Sequence, residues 1–262
     1  MYLIVLNCII FGFFSQSLKK GSLIIVFMKK FYVFNMVMFV VIFLTSCTPI
    51  GDVNPFFLHA SDNVKISANF FPANNPSSNK GIILLHMLGK DKTSWNFFVP
   101  ELTNANYNVI SIDFRGHGLS DLDWQKFSDD DFNRAVLDVK AAVSYLESKN
   151  ISKIGIVGSS IGSSIGLKYA AQDDTVKSLV LLSPGIDYEG VNISTDVNRY
   201  SGAVLIVASN DDLQSALDSQ SLFDSATGKK QLKLYESAGH GTNMFSKEDI
   251  FDLIISWLDE TT

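Results

Sequence analysis

Ser160 stands at the centre of Gly158-Ser159-Ser160-Ile161-Gly162. An apolar run, Ile154 to Val157, precedes it and reads as a buried strand; Ile161 to Ala171 follows and reads as a helix. A serine on so short a strand-to-helix turn is lifted above the sheet edge, and a glycine two residues to either side removes side chains that would collide. The chemistry open to it is nucleophilic attack by a hydroxyl. The amide of Ile161, opening the helix, points at any anion formed there. A serine hydroxyl is a weak nucleophile at neutral pH, so it requires a base beside it and a group that orients that base. The histidines are His59, His86, His117 and His240.

A second Gly-x-Ser-x-Gly overlaps the first: Gly162-Ser163-Ser164-Ile165-Gly166. No strand precedes it. Ser164 falls one helical turn beyond Ser160, where its hydroxyl is expected to bond a carbonyl one turn back, so Ser160 is the nucleophile and Ser164 structural.

The elements that must position these residues follow from periodicity. Phe56–Ala60 and Val64–Phe71 read as an antiparallel pair; 81–86, 109–113, 153–157, 176–182, 203–208 and 231–235 read as further strands. Helical patterns cover 95–104, 132–148, 161–171, 213–226 and 249–258. Strands alternating with helices imply an α/β protein with a mainly parallel sheet covered on both faces, and its site at the carboxyl ends of the strands.

Three motifs in this order carry a family resemblance: Asp113-Phe114-Arg115-Gly116-His117-Gly118-Leu119-Ser120, Gly158-Ser159-Ser160-Ile161-Gly162 and Ala238-Gly239-His240-Gly241. Residues 56–262 resemble the α/β-hydrolase superfamily, most closely its small serine esterases and lipases of the monoglyceride-lipase and dienelactone-hydrolase kind. The resemblance implies an eight-stranded sheet flanked by helices and a cofactor-free, metal-free serine hydrolase that cleaves small-molecule carboxylic esters through an acyl-enzyme. It implies His240 as the base, with His117 shaping a turn and His86 ending a strand. The orienting acid lies in Ser209-Asn210-Asp211-Asp212; the family's Gly-x-x-Asp, with Ser209 in the glycine's place, points to Asp212 and leaves Asp211 as the alternative. The unused acid is expected to be solvated or to cap the next helix. The second oxyanion donor is Leu88 by an ungapped match of His86-Met87-Leu88-Gly89, or Met87 after a shift of one; Met87 replaces a family glycine. Residues 183–202 leave room for a short cap at most, with Tyr188 and Tyr200 expected to face the pocket, which suits small or medium acyl esters. Activity is expected to rise with pH as the base becomes neutral. A binding module that kept the fold, or a thioesterase or peptidase with the same triad, are the alternatives. An aspartate nucleophile, as in dehalogenases and epoxide hydrolases, is disfavoured because Ser160 stands there.

Composition bounds the rest. The chain has 262 residues and a formal net charge of −6, with no basic cluster beyond its N-terminal region, so nucleic acid is not an expected partner. Both cysteines, Cys8 and Cys47, precede the body, which excludes a disulfide framework or cysteine metal site there. Met28-Lys29-Lys30, an apolar run of 15 residues (31–45) and Cys47 make a secretory signal over 28–46, short of the ~20 residues a spanning helix needs. Leu44-Thr45-Ser46-Cys47 resembles the bacterial lipoprotein signature, implying a lipidated Cys47, a tether over 47–55, and a protein anchored by acyl chains in the bacterial envelope, facing the periplasm or the exterior. Residues 1–27 read as a start assigned too early. Cleavage before Cys47 removes Lys19, Lys20, Lys29 and Lys30 and no acid, so the acidic body would rely on those chains to hold the membrane.

Overall fold

The computed structural model describes residues 56–262; the start at 1–27, the signal at 28–46, Cys47 and the tether at 47–55 lie outside the described residues. In chain order the elements are β1 (Phe56–His59), β2 (Lys65–Phe71), β3 (Lys80–Leu85), α1 (Val99–Asn104), β4 (Asn108–Ile112), α2 (Asp129–Asn133), α3 (Val136–Ser148), β5 (Lys153–Ser159) and α4 (Ile161–Ala170). There follow β6 (Val176–Leu182), β7 (Asp187–Tyr188), β8 (Val191–Asn192), α5 (Asp196–Arg199), β9 (Ala203–Ser209), α6 (Leu213–Ser225), β10 (Lys230–Tyr235) and α7 (Ile250–Thr261).

Eight strands form one sheet in the order β1-β2-β4-β3-β5-β6-β9-β10. The β1–β2 and β2–β4 pairs are antiparallel and every other pair is parallel. The strand that carries Ser160, β5, is central, with β3 and β6 as neighbours. Alternate residues of its strands serve two cores. Ile83, Leu85, Ile154 and Ile156 pack with residues of α3 and α4, and Ile82, Leu84, Val157 and Val180 pack with residues of α1 and α7. Burial on both faces is why these strands are continuous apolar runs, and each fully buried Ile, Val or Leu contributes about 1.5–3 kcal/mol.

Two helical expectations are corrected. The pattern over 95–104 is a 3₁₀ turn, Lys92–Trp95, followed by α1. Pro100, which lacks an amide donor, sits in the first turn of α1, where no donor is needed. The pattern over 132–148 is two helices. Between them the chain tightens, Leu137 N donating to Arg134 O (2.9 Å) and Asp138 N to Ala135 O (3.1 Å). The first of them, α2, opens on a reciprocal Ser128–Asp131 cap that the apolar periodicity did not reveal.

Two buried ion pairs brace the loops beneath the site. Lys92 Nζ lies 2.5 Å from Asp113 Oδ2 and donates to Ser67 Oγ at 2.9 Å, tying the loop after β3 to the loop after β4. Arg115 bridges Asp138 on α3 and Asp62 in the β1–β2 turn.

Candidate active site

Ser160 sits between β5 and α4 with φ 56° and ψ −124°, a left-handed conformation rare outside glycine that costs on the order of 1–3 kcal/mol. The surroundings hold it there. Its amide donates to Leu182 O at 2.8 Å, extending the β5–β6 ladder one step beyond the strand. Gly158 and Gly162 make the turn possible: a β-carbon on Gly158 would lie 2.5 Å from Gly162 O, and one on Gly162 would lie 2.4 Å from Leu85 O. The second contact brings the head of α4 against the end of β3, so the loop beginning at His86 lies beside the Ile161 amide.

In that loop Gly89 N donates to His117 Nε2 (3.2 Å) and Lys90 N to Met87 O (3.1 Å). Among the described residues the amides of Met87 and Leu88 make no hydrogen bond, and both are free to receive an anion. His86 and His117 are committed elsewhere. His86 Nε2 accepts from Phe114 N (3.0 Å), so its Nδ1 carries the proton and donates to Met87 O (2.7 Å). Burial lowers its pKa to about 4. His117 accepts from Gly89 N in the same manner, donates to Arg115 O (3.1 Å) and stacks on Trp124; burial lowers its pKa too.

His240 follows β10 in a loop, half-buried. Its Nδ1 lies 2.5 Å from Asp212 Oδ2. Asp212 precedes α6 but makes no side-chain cap; its carboxylate turns to the imidazole instead. Asp211 faces the other way. It accepts from the hydroxyls of Ser209 and Ser237 (3.0 Å for the latter) and from the amides of Ala238 (3.3 Å) and Gly239 (3.2 Å). As expected of the second acid, Asp211 is exposed to solvent; its bonds also pin the His240 loop. Those bonds, led by that from Ser209, hold its pKa at about 2. Beyond the loop, Gly241 N donates to Ser183 Oγ at 2.9 Å.

The turns that carry Ser160 and His240 lie side by side. The Tyr188 ring stands edge-on to the His240 ring, 6.4 Å between centroids, and its hydroxyl donates to Ser183 O at 3.5 Å. Gly241, next to His240, packs on Ser159, next to Ser160. Ser215 joins them, its Oγ 3.1 Å from the Tyr188 hydroxyl and 3.4 Å from His240 Nδ1. Ser215 was not singled out from sequence; its signal was the Asp212-Leu213-Gln214-Ser215 spacing, which stacks it one turn above the acid. Burial raises the Tyr188 phenol pKa, while the bond with Ser215 pulls it down.

Two expectations here are overturned. Ser164 Oγ donates across to Gly185 O (2.9 Å) and not to a carbonyl one turn back. Tyr200 does not face the site: it is buried, and its hydroxyl donates to Val176 O at the opposite end of β6. Among the described residues no group of three or more His, Cys, Asp or Glu side chains is placed to hold a metal ion.

The sheet order, the left-handed serine at its central strand and the acid–imidazole pair at the same edge define the α/β-hydrolase fold. A family model described as the alpha/beta hydrolase fold matches residues 81–199. The chain is similar to the AB hydrolase superfamily protein YisY of Bacillus subtilis, 31% identical over 104 residues, which are 39% of this chain and 37% of that protein. The chain spans about a third of the length of the curated relatives it matches. Among solved structures it is similar to the esterase EaEST of Exiguobacterium antarcticum, with a TM-score of 0.67 and 14% identity over 79% of this chain and 100% of that one. It is also similar to the Pyrococcus furiosus esterase Pf2001, with a TM-score of 0.67 and 19% identity over 79% of this chain and 92% of that one. Likeness at such identity establishes the fold.

Proposed function

We propose that the protein is a serine hydrolase that cleaves carboxylic esters through an acyl-enzyme. The observation that carries this reading is the Asp212–His240 pair, together with a serine held in a left-handed turn at the head of a helix after the central strand. Esterases among the structural neighbours support it. Ser160 Oγ attacks the ester carbonyl carbon and its proton passes to His240 Nε2, since Nδ1 is engaged by Asp212. The carbonyl oxygen becomes an anion, received by Ile161 N and an amide of the Met87–Leu88 loop; Leu88 is the donor we favour. Collapse of the tetrahedral adduct breaks the bond to the alkoxy oxygen, which takes the proton from Nε2 and leaves as the alcohol. Water, deprotonated by His240, then attacks the acyl-serine, and the acid and free Ser160 are released. Asp212 orients the ring and balances its positive charge.

The test is Ser160→Ala. Turnover of a short-chain nitrophenyl ester should fall by at least about 10³-fold, and labelling by a fluorophosphonate should vanish. Folded wild-type protein that takes no label would point to a binding module built on the same fold.

The order of Lys29-Lys30, apolar run and Leu-Thr-Ser-Cys47 supports a diacylglycerol anchor at Cys47 and a place in the bacterial envelope. Cys47→Ser should abolish palmitate incorporation and shift the protein from the membrane pellet to the soluble fraction; palmitate labelling equal to wild type would remove the anchor from this reading.

A further inference from the structure

The second Gly-x-Ser-x-Gly has a task that the proposed chemistry does not use. Ser164, fully buried in α4, donates to Gly185 O at 2.9 Å. Gly185 lies flat against the ring of Tyr188: a β-carbon there would come within 2.6 Å of Cε2 and 2.7 Å of Cζ. Tyr188 ends β7, and the chain returns into β8 through Glu189 (φ 51°) and Gly190 (φ 74°), the successive left-handed residues of a tight hairpin turn.

The hairpin is tied down along its length. Besides Ser164 on Gly185, Ile186 N donates to Asp218 Oδ2 (3.0 Å), Asn133 Nδ2 to Gly190 O (3.0 Å) and Lys168 Nζ to Asn192 O (2.9 Å). These ties come from α2, α4 and α6, so the hairpin is a fixed wall. At the tip of that wall the Tyr188 hydroxyl reaches Ser215, and the ring stands edge-on to His240, 6.4 Å between centroids.

We infer that Tyr188 sets the size of the acyl group that Ser160 accepts, restricting the enzyme to short-chain esters. The inference rests on the ester-hydrolase reading above. The acyl group remains bonded to Ser160 Oγ through both half-reactions, whereas the alcohol leaves after the first. The acyl chain therefore stays beside the Asp212–His240 pair throughout, where Tyr188, against Ser215 and edge-on to His240, limits the room. A chain that meets a wall which cannot swing away is rejected by about 10- to 200-fold per misfitting methylene.

The experiment measures kcat/KM of the purified protein on nitrophenyl acetate, butyrate and octanoate below their micellar thresholds, with fluorophosphonate labelling in parallel. Wild type should favour acetate and butyrate. Tyr188→Ala should raise the octanoate-to-acetate ratio by at least about tenfold, and Tyr188→Phe, which keeps the ring, should hold that ratio within about threefold of wild type. Gly185→Ala, which drives the ring from its seat, should move the ratio in the same direction as Tyr188→Ala. Should Tyr188→Ala not fold, Tyr188→Val truncates the ring with a residue suited to a strand and carries the same expectation. A wild-type preference for octanoate overturns the inference, as does an unchanged ratio in the truncated variant while Ser160 still takes the label; the hydrolase reading survives both. Absence of label on wild type removes that reading, and the inference with it.

Discussion

Asp211 and Asp212 are chemically identical neighbours, and the structure gives them different work. Asp212 faces His240 Nδ1; Asp211 gathers two serine hydroxyls and two amides of the loop that carries His240. Their variants should differ accordingly. Asp212→Asn is expected to lower kcat by about 10⁴-fold, because the imidazole loses both its orientation and its balancing charge. Asp211→Asn loosens the loop without touching the ring and should cost up to about a hundredfold, with the smaller loss in kcat and little change in KM. Steady-state kinetics on one short-chain ester checks both, and equal losses would contradict the division of roles. The family resemblance pointed to Asp212 with Asp211 as the alternative, and the task of Asp211 was not legible, because its partners, Ser237 to Gly239, lie 26–28 residues away and only strand pairing brings them close.

At the scale of elements, the turn from β5 into α4 is decided by contacts between backbones. A β-carbon on Gly162 meets Leu85 O at 2.4 Å and His86 O at 2.7 Å, and neither carbonyl can move without breaking the sheet end. Gly162→Ala should destabilise the fold by about 1–3 kcal/mol, with Tm falling by about 2–4 °C per kcal/mol. Gly166, from the overlapping second motif, is different: its nearest neighbours are the methyl ends of Ile156 (3.0 Å) and Leu85 (3.2 Å), which can shift. Gly166→Ala should cost less than about 1 kcal/mol, and its gain in helix propensity partly offsets that. Calorimetry of the two variants distinguishes the elbow from its sequence echo; equal losses would mean that the first glycine pair has no special part in the turn. Strand positions were legible because each parallel strand is buried on both faces and so reads as an apolar run. Helix boundaries at 95–104 and 132–148 were less so, since Pro100 and the cap at Ser128 decide them locally.

For the whole molecule, pH acts through buried neutral histidine. His86 has a folded pKa of about 4 against 6.5 when exposed. The unfolded chain therefore binds the extra proton between those values, and the stability from keeping His86 neutral is present above pH 6.5 and lost as pH falls towards 4. The loss is about 3 kcal/mol at full protonation of both states. Burial raises Asp138 to about 6 despite the pull of Arg115, and this acts in the opposite sense: protonating Asp138 between about 4 and 6 favours the folded chain. The difference between wild type and His86→Gln isolates the histidine. Urea unfolding at pH 7 and pH 4.5 should show a larger drop for wild type than for the variant, and parallel drops would refute the assignment. Between β6 and β9 lie only the β7–β8 hairpin and α5, a cap of few residues anchored at many points.

From sequence alone came the α/β class, the strand positions along the chain and the glycine pair around Ser160, while the family resemblance pointed to the loop that carries His240. The first three depend on local rules: burial periodicity and the collision of side chains in a tight turn. Tertiary structure alone decided which carboxylate turns to the imidazole, that Ser164 and Gly185 seat Tyr188, and that Tyr200 serves the far end of the sheet. Those outcomes depend on the direction of side chains across 21 to 28 positions of chain, and such directions exist only once β5, β6, β9 and β10 lie side by side.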